Sequence, residues 1–143
     1  LTVRYDTTRR SSAQACNRVS TPESGLVVTN RWQFYEAPGG GSPVQKAIGK
    51  YRLTTAELAR LYVVMDRVAE GRTRPGDVKA LRDGVLEVRV RIGGRNFRLA
   101  YAELGDGLVL LGLHFFHKQR QVEDRHIDTA AARLKDWLSR HGA

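Results

Sequence analysis

Three strand-like runs, residues 85–92, 96–102 and 108–116, follow one another with connections of only a few residues, and no other feature limits the possible folds as strongly. Gly93-Gly94 is a two-residue hairpin signal, and Leu104-Gly105-Asp106-Gly107 is a slightly longer one, so the runs are expected to pair as an antiparallel meander. Helical signals flank them. Ser42 followed by Pro43 is an N-cap with proline at the first helical position, opening a short helix that carries Val44, Ala47 and Ile48 and stops near Gly49. Thr54 and Glu57 have capping-box spacing. After them Leu58, Leu61, Tyr62, Met65, Val68 and Ala69 form one apolar stripe, closed by Gly71. Near the C-terminus Ile127, Ala130, Ala131, Leu134 and Leu138 repeat at helical spacing with Trp137 alongside. The expected fold is α+β: a small antiparallel sheet, an N-terminal helical pair and a C-terminal helix, with the helices on one face of the sheet.

This domain is expected to occupy residues 30–143, beginning with the strand-like RWQFYEA segment. Residues 1–29 are rich in Ser, Thr and Arg and show no sustained period of 2 or 3.6, so they read as a flexible basic arm. They also lack the apolar core of a signal peptide, and no run approaches the length of a spanning helix, so no membrane partner is expected. The lone Cys16 has no partner for a disulfide or a thiolate zinc site, and a reducing, cytoplasmic setting follows as the expectation. With 24 Lys+Arg against 15 Asp+Glu, the net charge of +9 points to a polyanionic partner, either nucleic acid or an acidic protein.

Alternation along the strands sorts the charges. Leu86, Val88, Val90 and Ile92 point one way, and Glu87, Arg89 and Arg91 the other. On the next run Phe97, Leu99 and Tyr101 share a side opposite Asn96, Arg98 and Ala100. Pairing the apolar sides gathers Arg89, Arg91 and Arg98 on one face, with Arg95 near the turn and Tyr101 in a structural place on the other. Residues 79–98 carry six cations and two anions. Three arginines on adjacent strands repel one another unless an anion sits between them, and a guanidinium fork suits a phosphate. A solvated sheet face with no ligand is the plain alternative.

The third run ends in HFFHKQR: His114, Phe115, Phe116, His117, Lys118, Gln119, Arg120. Histidine can move a proton near neutral pH, and Lys and Arg can offset charge growing on a phosphate, which together are parts of a metal-free ribonuclease. Taken singly, each residue also fits a packing role, with Phe115 and Phe116 as core or edge residues. The spacing of His114, His117 and His126 matches no familiar ligand motif, so no metal and no cofactor are expected.

In order along the chain, Lys79, Leu81, Asp83, Gly84, Glu87 and Arg89, then Phe97, Arg98 and Tyr101, then Phe115 and Lys118 resemble the pattern of the RelE/HigB toxin superfamily, in its phage-derived branch. The upstream W-x-F-Y and Gly-Ser-Pro segments look like that branch too, and the resemblance covers about residues 30–140. It implies a RelE-like fold and the toxin of a type II toxin–antitoxin pair. Such a toxin is an endoribonuclease that cleaves mRNA on the ribosome and so inhibits translation, held in check by a cognate antitoxin protein. By that resemblance Arg98 contacts the scissile phosphate, with Arg89 and Lys118 assisting, and His117 stands where relatives have the first lysine of a pair. His117 ranks above His126 as the proton-transfer residue, because a strand end is better fixed than a loop. Arg91, Arg95, His114, Arg120, Arg125 and His126 are the candidates for RNA binding. The side chains of Arg98 and Lys118 are both expected to be exposed. The rival reading is a non-catalytic module of the same fold that binds RNA or an acidic protein.

Overall fold

The computed structural model describes residues 31–105, 109–119 and 123–142, so the expected N-terminal arm lies outside the described residues. Eight elements follow in order: β1 Arg31–Phe34, α1 Pro43–Lys50, α2 Thr55–Ala69, β2 Val78–Ala80, β3 Leu86–Ile92, β4 Arg95–Leu104, β5 Val109–His117 and α3 Glu123–His141. The α+β class is as expected. The strands form one sheet in the order β1-β5-β4-β3-β2, with β3, β4 and β5 as the antiparallel meander and β1 parallel to β5.

Local sequence explains the element ends. The Ser42 hydroxyl accepts from the Gln45 amide at 3.2 Å, and Pro43 starts α1. Thr54 and Glu57 exchange both capping-box hydrogen bonds at the start of α2, at 3.1 and 2.9 Å. Gly93 and Gly94 both take positive φ, the geometry that a two-residue turn between right-twisted strands requires. A second turn of this kind, at Asp83-Gly84, joins β3 to the short strand β2, which the sequence reading did not anticipate.

The helices do not share a face. α1 and α2 cover one side of the sheet, where Val44, Leu61, Met65 and Val68 pack on Val88, Ile92, Phe97, Leu99 and Phe115. α3 covers the other, where Ala130, Leu134 and Trp137 pack on Ala100, Ala102, Leu111 and Leu113. The expectation of helices on one face is corrected for a physical reason. Past Arg98, the side of β4 assigned to solvent carries Ala100 and Ala102, small apolar residues onto which the stripe of α3 closes. Residues 97–102 are therefore buried without alternation. The Tyr35 hydroxyl donates to Asp136 at 2.7 Å and ties the C-terminal half of α3 to the segment after β1.

One irregularity decides which side chains reach which face. Ala100 pairs with His114 but Tyr101 pairs with Gly112, so Leu113 is an extra residue in β5, a β-bulge. Before it, Leu110 and Gly112 face α1 and α2; after it, Phe115 and His117 do. Leu111, Leu113, His114 and Phe116 share the α3 side.

Gly112 sits against Phe34: a Cβ added there would lie 2.7 Å from the ring. Gly112→Ala is expected to cost about 1–3 kcal/mol of stability through this overpacking, measurable as a lowered urea midpoint with an unchanged slope.

Candidate functional site

The apolar contact of α3 spans only part of its side of the sheet. Beyond the end of the apolar contact, β3 presents Glu87, Arg89 and Arg91, β4 presents Asn96 and Arg98, and β5 presents His114 and Phe116. The Lys118 amide donates to the Asn96 carbonyl at 2.7 Å, extending the pairing by one residue. Alternation from Phe116 places Lys118 on this same side, about 10 Å from β3 across the intervening strand. Arg91 is exposed, and Arg89 and Lys118 are half-buried.

Arg98 is not exposed. Its side chain keeps 8% of its accessible surface, its Nε lies 3.5 Å from Glu87 Oε2, and its Nη1 donates to the Phe97 carbonyl at 3.1 Å. Glu87 is buried as well, and the Arg89 guanidinium approaches the same oxygen at 3.9 Å. The anion that adjacent arginines require is thus supplied by the chain itself, and the expectation of an exposed Arg98 is corrected. A glutamate one strand over, diagonal in the register, neutralises Arg98 where it is most desolvated.

The other cations separate by face. Arg95 lies with its guanidinium 5.0 Å from the centre of the Phe97 ring, on the α1 side. Arg82 bonds Asp83 and Asp128, linking the β2–β3 turn to α3. Arg125 is exposed on the first turns of α3, and Arg120 lies outside the described residues.

The histidines separate too. His117 is on the α1 side, 5.3 Å from the Phe97 ring and 6.3 Å from Tyr51, whose hydroxyl accepts from the His117 amide at 3.2 Å. The sheet stands between His117 and the pair Arg89 and Arg98, so these expected partners are not brought together. The bulge is the cause. His114 and His126 are on the cationic side, with His114 Nε2 and His126 Nδ1 2.8 Å apart. The His126 ring stacks on Phe116 at 4.0 Å and 9°, and the His114 ring stacks on the same phenylalanine at 5.2 Å.

Arg133, two helical turns along α3 from His126, donates to the Leu113 carbonyl at 2.8 Å and reaches His114 Nδ1 at 3.3 Å. Burial, then the charge of Arg133, pushes the His114 pKa down to about 4, so this imidazole is neutral at physiological pH. Arg133 was missed in the sequence, where it reads as one more polar residue of an amphipathic helix. Tyr101 is buried beside Trp32, and desolvation pushes its phenol up to about 12, in keeping with a structural place. Among the described residues no group of three or more His, Cys, Asp or Glu side chains could hold a metal ion, and no helix is long and apolar enough to cross a membrane.

A small mixed sheet clasped between a helical pair and a single C-terminal helix is the α+β architecture of a small RelE-like toxin. The family model described as phage-derived protein Gp49-like matches residues 52–135. Two curated proteins of Mycobacterium tuberculosis, from strains CDC 1551/Oshkosh and ATCC 25618/H37Rv, are both named probable endoribonuclease HigB1. Each is 31% identical over 122 residues, spanning 85% of this chain and 95% of the relative. The chain belongs to the phage-derived Gp49-like family and is a RelE/HigB-like toxin.

Proposed function

We propose that this toxin is a metal-independent endoribonuclease that cleaves mRNA on the ribosome in the cytoplasm, and that a cognate antitoxin holds it inactive. The observation that carries this reading is the meeting, on one sheet face, of Arg89, Arg91 and Lys118 with the His114–His126 pair. It is supported by the name of the relatives that this chain matches along nearly their whole length. The ribose 2′-hydroxyl would release its proton to solvent as its oxygen bonds to the adjacent phosphorus and the bond to the 5′-oxygen breaks, and that oxygen would take up a proton from solvent, leaving a 2′,3′-cyclic phosphate and a 5′-hydroxyl. Arg89 and Lys118 would offset the charge growing on the phosphoryl oxygens, where a positioned cation acts more strongly than in water. His126, rather than His117, would contact the reacting group, because it shares the cationic face. Arg98 would act through Glu87 and the strand it braces rather than on the phosphate. Arg125 and Arg91 would track the RNA backbone, and an acidic segment of the antitoxin would occupy the same cations.

Inducible expression in a bacterial host, with growth and primer extension of mRNA as readouts, tests the reading. Arg89→Ala and Lys118→Ala are each expected to lower cleavage about 100-fold at unchanged thermal stability, since both side chains reach solvent. Burial of Arg98 against Glu87 favours the rival, a binding module without chemistry. Soluble wild-type protein that binds RNA but produces no new 5′ ends would establish that rival instead.

A further inference from the structure

The hydrogen-bond chain Arg133, His114, His126 has a direction. A guanidinium can only donate, so the contact from Arg133 Nη1 requires an unprotonated Nδ1 on His114. A neutral imidazole then carries its one proton on Nε2, and that proton points along the 2.8 Å contact to His126 Nδ1. His126 must accept there, and its own proton is left on Nε2. Protonating His126 would set an Nδ1–H against the N–H of His114, so the same geometry opposes the imidazolium form of His126.

We infer that Arg133 and His114 are positioning residues that hold His126 as a neutral imidazole protonated on Nε2, a fixed hydrogen-bond donor to a phosphoryl oxygen of the RNA rather than a general base. The inference deepens the nuclease reading and rests on it for the identity of the substrate. Two further contacts and one burial bear on the geometry. The Leu113 carbonyl, in the bulge, accepts a second hydrogen bond from Arg133 Nη1 and fixes the guanidinium. The 4.0 Å stack on Phe116 fixes the plane of the His126 ring. Burial of His114 keeps its own second proton away at neutral pH. A neutral imidazole N–H held in this way can polarise a P–O bond without exchanging a proton.

The ring nitrogens of the four histidines can be read directly by long-range ¹⁵N–¹H correlation on the folded full chain at pH 7, with His117→Gln and His141→Gln used for assignment. Both His114 and His126 are expected as Nε2–H tautomers. A cationic His126, or one protonated on Nδ1, overturns the inference whatever the protein does to RNA. In Arg133→Met the loss of the donor is expected to release His114 into a mixture of tautomers; an unchanged His114 spectrum removes Arg133 from the chain of control. Should Arg133→Met not fold, the wild-type spectrum alone decides. Cleavage gives a separate readout. His126→Gln keeps an N–H donor near the place of Nε2–H and is expected within about 10-fold of wild type, whereas His126→Ala falls about 100-fold. Equal loss in both would mean that His126 exchanges protons and would sink the donor role. No cleavage by wild type would retire the nuclease reading while leaving the tautomer result to stand on its spectrum.

Discussion

Glu87→Ala is expected to destabilise the protein by about 3–5 kcal/mol, because it leaves the Arg98 guanidinium buried without its carboxylate. Thermal and urea unfolding would both report the loss. Arg98→Met should fall in the same range, since it strands the carboxylate instead. The double variant Glu87→Leu/Arg98→Met removes both charges from the interior and is expected to recover most of the stability, giving a coupling energy of opposite sign to the single losses. Additive losses in the double variant would show that the two side chains are not energetically linked. The result bears on function: a toxin that loses activity on Arg98→Ala has lost part of its fold, so growth rescue by that substitution says nothing about a phosphate contact unless Arg98→Lys or a stability measurement accompanies it.

The second large effect is expected at Asp77. Its carboxylate accepts from Arg67 through both oxygens at 3.0 Å and from the Arg74 amide at 2.8 Å, while its carbonyl accepts from the Arg89 amide at 2.7 Å. One residue thus fastens α2, the loop before β2 and the strand that carries Arg89. Asp77→Ala is expected to cost about 3 kcal/mol. It should also lower cleavage by displacing Arg89, and salt would not restore it.

The hydrogen bond from Arg67 holds the Asp77 carboxyl below the usual carboxylate range. Its folded pKa lies under the unfolded value of about 4, so the stabilisation is complete above that value and is lost as pH falls through the folded pKa. His114 acts over a higher window. Its folded pKa of about 4 lies below the ordinary value of 6.5, so the unfolded chain binds a proton first and stability declines as pH drops between those two values. Wild type should therefore lose stability in two acid phases, and Asp77→Asn should keep the upper phase and shrink the lower one, to which Asp136, held below the usual range by Arg140, also contributes. A single phase unaffected by Asp77→Asn would contradict the assignment.

Much of the scaffold was legible because it is written locally. The Thr54–Glu57 box, the Ser42-Pro43 start and the Gly93-Gly94 turn each act within a few residues, and each element they bound is where the sequence puts it. β2 was missed because three residues are too few to show a period, although Asp83-Gly84 was a usable turn signal. The family was legible because ordered matches accumulate over the whole folded part. The side of the sheet taken by α3 was not, since Ala100 and Ala102 are ambiguous between a thin polar face and a close-packed one. Nor was the pairing of Arg98 with Glu87, which depends on a diagonal contact between strands. The grouping of His117 with Arg98 rested on the resemblance and on the place of His117 at a strand end, and neither carries a sign of the bulge that turns His117 to the α1 side.

That extra residue makes the sheet face a matter of reading frame. Were Leu113 instead to pair with Ala100, the bulge would be lost, simple alternation along β5 would return, and every later side chain of the strand would turn to the opposite face. His117 and Phe115 would then face α3 and the cations, while His114 and Phe116 would be driven into the packed side under α1. A one-residue slip of register would thus exchange which histidine shares the cationic face without changing a single chemical group in the His114–Lys118 segment, whereas deleting Leu113 itself would leave His114 where it is.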